Sequence, residues 1–195
     1  MKSRLIACLF IAGLSQLSIQ AQAEENIENE AAVLKKELKM AGIGLPQEKR
    51  IKVAQQLQKL LANVYVLYVK TQKFHWNVEG KHFHDLHSMF GDQYEQLAGY
   101  TDAIAERIRA LEVEAIGTVT EFHEYATLTE YPGRNPSEQD MIIELLEDYE
   151  TIIKQLRPDI DLTTEVNDMG TNNFLADLLM KLEKTAWMLR STVEK

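Results

Sequence analysis

Apolar side chains recur at helical spacing along four long segments of this 195-residue chain, and this spacing predicts amphipathic α-helices. The first segment begins at Pro46, which suits the first turn of a helix, and runs to about Asn77. A short break at Gly80 and Lys81 separates it from a second long segment. The apolar positions of these two predicted helices are Ile51, Ala54, Leu57, Leu61, Val64, Tyr65 and Tyr68, followed by Leu86, Phe90, Leu97, Ile104, Ile108 and Leu111.

Two further helical segments occupy the last third of the chain. Ser137, with Asp140 three residues later, resembles a capping box and predicts the first turn of the third helix. Pro158 lacks a backbone N–H, so we expect it to kink or interrupt this helix. Gly170 and Thr171 precede the predicted fourth helix. The apolar faces of these helices are Met141, Leu145, Leu146, Tyr149 and Ile153, and then Phe174, Leu178, Leu182 and Leu189.

The connector between the second and third predicted helices reads EAIGTVTEFHEYATLTEYPGRNP and contains glycine and proline towards its two ends. It has room for one short helix. No segment has a convincing strand pattern, and a chain of this length with 45% apolar residues is long enough for one sizeable core. We therefore predict an all-α fold, an antiparallel four-helix bundle with a long crossover that carries a short helix.

Residues 1–23 have the features of a secretory signal peptide. Two positive charges precede an apolar run at Leu5–Leu14, and an Ala-Gln-Ala motif ends at Ala23. An N-terminal anchor or an ordinary helix is the alternative, but ten apolar residues are too few to span a bilayer. We predict cleavage near Ala23 and a periplasmic or secreted protein without stable membrane insertion. Residues 24–45 are then a charged lead segment, and residues 46–195 are the helical domain.

The predicted mature chain is strongly acidic. Removal of residues 1–23 leaves nineteen basic and thirty acidic residues, a formal net charge of −11. Cys8 is the only cysteine and lies in the signal peptide, so a metal bound by the mature chain has nitrogen and oxygen ligands. Lys and Arg side chains supply most of the affinity for DNA phosphates. Because residues 24–45 hold five acids against three lysines, we expect no appreciable DNA binding.

The stretch FHWNVEGKHFHDLH at residues 74–87 raises the possibility of a metal site, because it contains four of the five histidines. These are His75, His82, His84 and His87. Taken singly, each is more typical of a solvated surface or a packed core. Asp102 and Glu106 lie four residues apart on the second predicted helix and share a face. On their own they are more typical of a solvated face, with Arg107 and Arg109 nearby.

His87 cannot reach the two carboxylates within one chain. Fifteen residues of predicted helix separate it from Asp102, a rise of about 22 Å, and Glu106 is about 28 Å away. The angular offset between His87 and Asp102 is only about 60°, and Gly91 and Ala98 lie on the same stripe. This stripe suits a neighbouring helix of the same chain or a second copy across a two-fold axis. In the second case, the histidine of one copy meets the carboxylates of the other.

Longer motifs resemble those of the Dps family, the miniferritins named as DNA-binding proteins from starved cells. The matching stretches are KTQKFHWNVEGKHFHDLH, DAIAERIRALE, YPGRNPSEQDMI and EKTAWMLRS, and the resemblance extends from Leu34 to the C-terminus. It implies a ferritin-like four-helix bundle and a dodecameric shell. Such a shell is expected to oxidise ferrous iron, preferentially with hydrogen peroxide, and to store the ferric mineral inside.

The same resemblance implies which residues bind the iron. It assigns His75 and His87 of one subunit and Asp102 and Glu106 of its two-fold partner as the metal ligands. Mixed imidazole and carboxylate ligands suit iron, because Fe(II) accepts both and Fe(III) prefers anionic oxygen. Trp76 is the aromatic residue beside the site, where it either quenches a stray oxidising equivalent or acts as a packing anchor. The two other histidines of the stretch are neighbours that are not assigned as ligands.

Gly91 departs from the family pattern, which usually has Asp or Glu one turn after the second site histidine. Asp92 is adjacent but about 100° around the helix. Glycine here suits either close packing or a bound water. We expect a first iron to bind with ordinary affinity and a second only weakly, with reduced ferroxidase activity. The alternative function is a non-catalytic shell or iron-binding protein.

A second departure lies at the start of the fourth helix, near the three-fold pores that the resemblance implies. Asn173 stands where the family often has an acidic residue. Asp168 is then the expected source of negative potential.

Overall fold

The computed structural model describes residues 42–193, and all of the regular secondary structure in this range is helical. The predicted signal peptide and most of the lead segment lie outside the described residues. The helices are α1 (Gln47–Asn77), α2 (Phe83–Ala110), α3 (Val119–Tyr125), α4 (Glu138–Val166) and α5 (Met169–Thr192). The predicted all-α fold with one short helix in the crossover is confirmed.

The four long helices pack in the order α1, α2, α5, α4 around the bundle. Helix α1 contacts both α2 and α4, and α5 contacts both α4 and α2. The connection from α2 to α4 therefore runs between opposite corners of the bundle, which is why it must be long. It carries the short helix α3, and α3 packs against α1.

The apolar stripes predicted from the sequence meet at the centre of this bundle. Leucine, isoleucine and phenylalanine side chains from all four long helices form one continuous buried cluster. Ile51 is the exception among the predicted core positions of α1, because its side chain is exposed. No helix within residues 42–193 is both long and apolar enough to cross a membrane.

The starts of α3 and α4 depend on side-chain caps. The capping box is complete at α3, where Thr118 accepts from the backbone N–H of Glu121 and the Glu121 carboxylate accepts from that of Thr118. At α4 the Ser137 hydroxyl accepts from the backbone N–H of Asp140, 3.2 Å away. The Ser137 hydroxyl also donates to the Asp140 carboxylate at 2.7 Å. In a complete capping box this carboxylate would accept from the backbone N–H of Ser137 instead.

Pro158 does not interrupt α4, so of the two predicted effects, a kink or an interruption, the interruption is wrong. The helix continues from Glu138 to Val166 with the proline inside it. Pro158 is exposed, whereas Leu156 and Asp159 on either side are buried against the bundle. The packing of these two neighbours therefore offsets the loss of the one backbone hydrogen bond that the proline cannot donate.

Helix α5 begins before the position that the glycine suggested. Its first residue is Met169, and Asp168 caps it by accepting from the backbone N–H of Thr171 at 3.0 Å. The Asp168 carboxylate also accepts from the Arg107 guanidinium at 2.9 Å. Asp168 is buried, so this ion pair balances the negative charge that the sequence suggested for a pore.

Candidate metal centre

His75 and His87 face each other across the junction between α1 and α2. Their rings stack with 3.9 Å between centroids and 20° between planes. His75 Nδ1 lies 2.7 Å from the backbone oxygen of His87, and His87 Nδ1 lies 2.9 Å from the backbone oxygen of His75. Reciprocal hydrogen bonds therefore hold the two imidazoles in a fixed pair.

These hydrogen bonds determine which ring nitrogen is available. A carbonyl oxygen only accepts, so each Nδ1 must carry the proton and donate it. In the neutral imidazole each Nε2 then has a free lone pair, the form that binds a metal. No hydrogen bond to either Nε2 comes from residues 42–193. Metal-binding histidines almost always donate their other ring nitrogen in this way.

Aromatic side chains hold the two imidazoles from outside. Phe83 stacks on the His87 ring at 5.2 Å, and Tyr94 meets the His75 ring edge-on at 5.1 Å between centroids. Both histidines are partly buried. Because the rings are already ordered, less side-chain entropy is lost when a metal binds to them.

Gly91 lies directly beside the His75 ring. A Cβ atom at this position would be 3.2 Å from Cε1 and 3.3 Å from Nδ1 of His75. This is closer than ordinary van der Waals contact, so a larger residue requires the ring to move by a few tenths of an ångström. Close packing, rather than room for a water molecule, therefore accounts for the glycine.

Asp102 and Glu106 lie farther along α2, and both are exposed. Within residues 42–193 neither carboxylate forms a hydrogen bond or an ion pair. The nearby Arg107 instead pairs with Asp168, and Arg109 donates to the backbone oxygen of Val113. The predicted solvated face is present, but the arginines do not neutralise it.

The described part of one subunit does not assemble the predicted ligands into one site. Helical rise separates His87 from Asp102 by about 22 Å, and no group of three or more His, Cys, Asp or Glu residues within residues 42–193 is arranged to hold a metal ion. The described chain thus has two adjacent imidazoles at the start of α2 and two exposed carboxylates near the end of the same helix.

The other candidate residues have separate environments. Trp76 is 66% exposed, so it is not a packing anchor within the subunit. Asp92 lies with Lys184 in a groove of about 320 Å³ between α2 and α5, whereas Gly91 faces His75 on α1. His84 is almost fully exposed. His82 is engaged elsewhere, because its ring pairs with Glu138.

Two residues at this end of the bundle, Tyr94 and Glu138, are not among the predicted site residues. Tyr94 lies seven residues after His87 on the same helix, and this spacing was a usable signal because it places both on one face. Glu138 lies 56 residues from His82 in the chain. No local pattern connects them, so only the tertiary structure brings Glu138 to this end of the bundle.

Comparison with known proteins places this architecture in a family. The ferritin-like domain model matches residues 54–195. The DNA protection during starvation protein of Brevibacillus brevis is 34% identical over 142 residues, which cover 73% of this chain and 95% of that protein. The chain belongs to the Dps family. An uncharacterized low-temperature-induced protein of Nostoc sp. is 43% identical over 153 residues, 78% of this chain and 86% of its own length.

A solved Dps structure has the same fold. The Dps protein of Vibrio cholerae O1 superposes with a TM-score of 0.76 at 30% identity, covering 79% of this chain and 96% of that one. It is described as a member of a broad superfamily of ferritin-like diiron-carboxylate proteins. Dps membership therefore carries the general chemistry of the family, which is the binding, oxidation and storage of iron.

Proposed function

We propose that this protein is an exported miniferritin whose ferroxidase sites form between two-fold-related subunits. His75 and His87 of one subunit and Asp102 and Glu106 of its partner bind ferrous iron. Hydrogen peroxide is the oxidant, the shell is a dodecamer, and the ferric product is stored inside it. The protein thereby removes two reactants that together damage cells.

The reciprocal histidine pair is the observation that supports this proposal. Both Nδ1 atoms donate to backbone oxygens, which leaves two Nε2 lone pairs on adjacent rings. Two imidazoles alone are an incomplete iron site, because Fe(III) requires anionic oxygen. The exposed carboxylates of Asp102 and Glu106 lie on the same helix and are unpaired within the described residues. An antiparallel second copy of α2 supplies them.

The reaction consumes peroxide without releasing a radical when two irons are close together. Each ferrous ion gives up one electron, and the pair of electrons breaks the O–O bond. The two oxygen atoms leave as water after taking up two protons. The role of the protein is to hold both irons at imidazole and carboxylate ligands through the change of charge.

A mixed-subunit experiment tests whether the site is shared. One variant carries His75→Ala and His87→Ala, and the other carries Asp102→Ala and Glu106→Ala. Neither alone should bind or oxidise iron. The two variants are co-expressed with different tags and purified through both tags. In a pair that contains one subunit of each variant, one of the two sites is complete. Because random pairing makes about half of the pairs mixed, about a quarter of the wild-type number of sites should be restored.

The readouts are anaerobic Fe(II) titration and the rate of oxidation after peroxide is added. His84→Ala is the matched control, since it removes an exposed histidine from the same segment. Recovery in the mixed shells supports a shared site. Mixed shells that assemble but remain inactive contradict it.

The alternative function is an iron-binding shell with little ferroxidase activity, and the Gly91 contact favours it. Close packing of Gly91 on His75 leaves no carboxylate at the usual position. Under this alternative the first iron binds, but peroxide addition produces slow oxidation and little retained mineral. The same titration separates the two functions.

Export and DNA binding have their own tests. Mass spectrometry of the purified protein should give a mature N-terminus at Glu24 in a periplasmic or extracellular fraction, and an intact Met1 in the cytoplasm would contradict export.

The mature chain should also give no shifted band with DNA at low salt, because its formal net charge is −11.

A further inference from the structure

The loop that joins the two histidine-bearing helices is held by a carboxylate from a third helix. This α1–α2 loop comprises residues 78–82. Glu138, the first residue of α4, places one carboxylate oxygen 3.0 Å from His82 Nδ1 and accepts from the His82 backbone N–H at 3.3 Å with the other. Both oxygens of a single carboxylate therefore bind the same loop residue.

The loop is shaped to receive this carboxylate. Gly80 has a φ of +135°, which favours glycine. A Cβ atom at Gly80 would collide with the Glu138 carboxylate, lying 2.8 Å from its Cδ atom. The Glu138 side chain is only 14% exposed. The backbone conformation of Gly80 and its lack of a side chain thus leave room for the Glu138 carboxylate, which the two hydrogen bonds from His82 hold in place.

This contact lies next to the histidine pair, because the pair spans the same loop. His75 lies near the C-terminus of α1, and His87 lies in the second turn of α2. Each imidazole donates to the backbone of the other helix. The bonds form only if the end of α1 and the start of α2 keep their relative position, and the loop joins the two helices directly beside the pair.

We propose that Glu138 is a positioning residue for the iron site: it clamps the α1–α2 loop and so holds His75 and His87 in register. The inference rests on the proposed function of that pair. Glu138 forms no hydrogen bond with the ring of His75 or His87, so it acts on the pair through the loop. Its role differs from that of an ordinary acid at a helix N-terminus, because both carboxylate oxygens are directed to the loop.

Asp140 is a matched control in the same turn of α4. It is also acidic and also lies near the N-terminus of the helix, where negative charge is favourable. Its carboxylate accepts from the Ser137 hydroxyl at 2.7 Å and not from the loop. Asp140→Ala therefore removes a helix-terminal charge while it leaves the clamp intact.

The test measures Co(II) binding to the assembled protein without oxygen. Co(II) takes similar ligands to Fe(II) and follows it in the affinity series, and its visible absorption reports ligand geometry. Glu138→Ala should weaken Co(II) binding by about tenfold, the lower end of the range for residues that orient ligands, and should alter the absorption band. Asp140→Ala should change affinity by less than about twofold.

His82 supplies a second pair of variants in case Glu138→Ala does not assemble. His82→Ala removes the side-chain bond to Glu138 and should weaken Co(II) binding. His82→Asn should restore it, because an asparagine Nδ2 atom occupies nearly the same place as the histidine Nδ1 and also donates. His82→Leu should not restore it, because leucine has the bulk but no donor; equal rescue by leucine would mean that the residue acts only through its bulk.

The outcomes separate this inference from the proposed function. His75→Ala removes a ligand and should abolish Co(II) binding. If wild-type shells do not bind Co(II), both the site and the clamp are wrong. If His75→Ala abolishes binding but Glu138→Ala and His82→Ala leave affinity and spectrum unchanged, only the clamp is wrong. Equal weakening by Asp140→Ala would also overturn it.

Discussion

The candidate ligands at the two ends of α2 differ in how many contacts they form within the chain. At the N-terminal end, His87 is stacked, hydrogen bonded and partly buried. At the C-terminal end, Asp102 and Glu106 are exposed, and neither forms a hydrogen bond or ion pair with residues 42–193. The imidazoles that we propose as iron ligands are therefore ordered within the chain, whereas the two proposed carboxylate ligands face solvent.

This difference follows from the free energy needed to bury an imidazole and a carboxylate. A neutral imidazole is buried cheaply when its proton is donated to a carbonyl oxygen. A carboxylate that is buried without a cation loses its hydration, which is expensive. The solvent-exposed carboxylates near the end of α2 avoid this cost. Under the proposed function, bound iron supplies the compensating positive charge when the second subunit packs against them.

Removal of the histidine side should have the largest effect. His75→Ala deletes one ligand and also the hydrogen bond to the His87 backbone, so the second imidazole loses its orientation. We expect Fe(II) affinity to fall by more than about 100-fold, beyond the range for residues that only orient a ligand. Anaerobic Fe(II) titration measures this. Affinity within tenfold of wild type would show that the pair is not the main iron site.

Removal of the carboxylate side should have a large effect on iron and little on the fold. Asp102→Asn with Glu106→Gln keeps the shape of both side chains and removes the charge. Iron oxidation should nearly stop, while the free energy of unfolding changes by no more than about 0.5 kcal/mol, as for other exposed sites. Peroxide-driven oxidation and thermal unfolding give the two measurements. A strong loss of stability would indicate that these carboxylates have an unrecognised structural role.

The Gly91 contact should give an intermediate effect whose sign depends on the substituent. Gly91→Ala adds only the Cβ that presses on His75, so it should weaken iron binding by a few fold despite the better helix propensity of alanine, about 0.5–1 kcal/mol. Gly91→Glu adds the same atom and a carboxylate, and should increase binding of a second iron and the oxidation rate. Titration of both variants beside wild type separates packing from ligation.

Asp92→Ala is the control for this pair of variants. Its side chain lies in the groove beside Lys184, so the change should do little to iron binding. A large loss of oxidation in Asp92→Ala, or no change in Gly91→Glu shells that assemble correctly, would contradict the assigned geometry.

Lowering the pH should weaken the contact between Glu138 and the α1–α2 loop, and the expected change in stability is the smallest of the predicted effects. Desolvation acts to raise the pKa of the Glu138 carboxyl, but the hydrogen bonds from His82 and the charges of His82 and Lys81 outweigh it and lower the pKa below its ordinary value of 4.5. The stabilisation is therefore fully present above about pH 4.5 and is lost as the pH falls through the lower, folded-state pKa.

The difference in thermal midpoint between wild type and Glu138→Ala measures this contribution. We expect the carboxylate part of that difference to be unchanged from about pH 6 to pH 5 and to shrink below about pH 4. A difference that grows on acidification would mean that the carboxylate is not stabilised in its charged form.

Helix existence and core positions could be predicted because periodicity carries that information directly. The four long helices and the short crossover helix appear where the pattern places them. Boundaries were less predictable: α5 begins at Met169 because Asp168 caps it, and α4 passes through Pro158 because tertiary packing on both sides outweighs one lost hydrogen bond.

The candidate site divides in the same way. Sequence spacing alone established that His87 and Asp102 share a face of α2 yet lie too far apart for one site, because helical rise and twist are fixed by backbone geometry. It also carried the motifs that resemble Dps. The sequence left open whether Gly91 reflects packing or water and whether Trp76 is an anchor, since both depend on neighbours that are distant along the chain.

Only the tertiary structure decided those points. It placed the His75 ring against Gly91, exposed Trp76, and brought Glu138 to the α1–α2 loop. Each is a contact between different helices, and such contacts depend on how the helices dock, which the periodicity of a single helix does not encode. The sequence determined which residues each helix presents, and the packing of α1, α2 and α4 determined which of them meet.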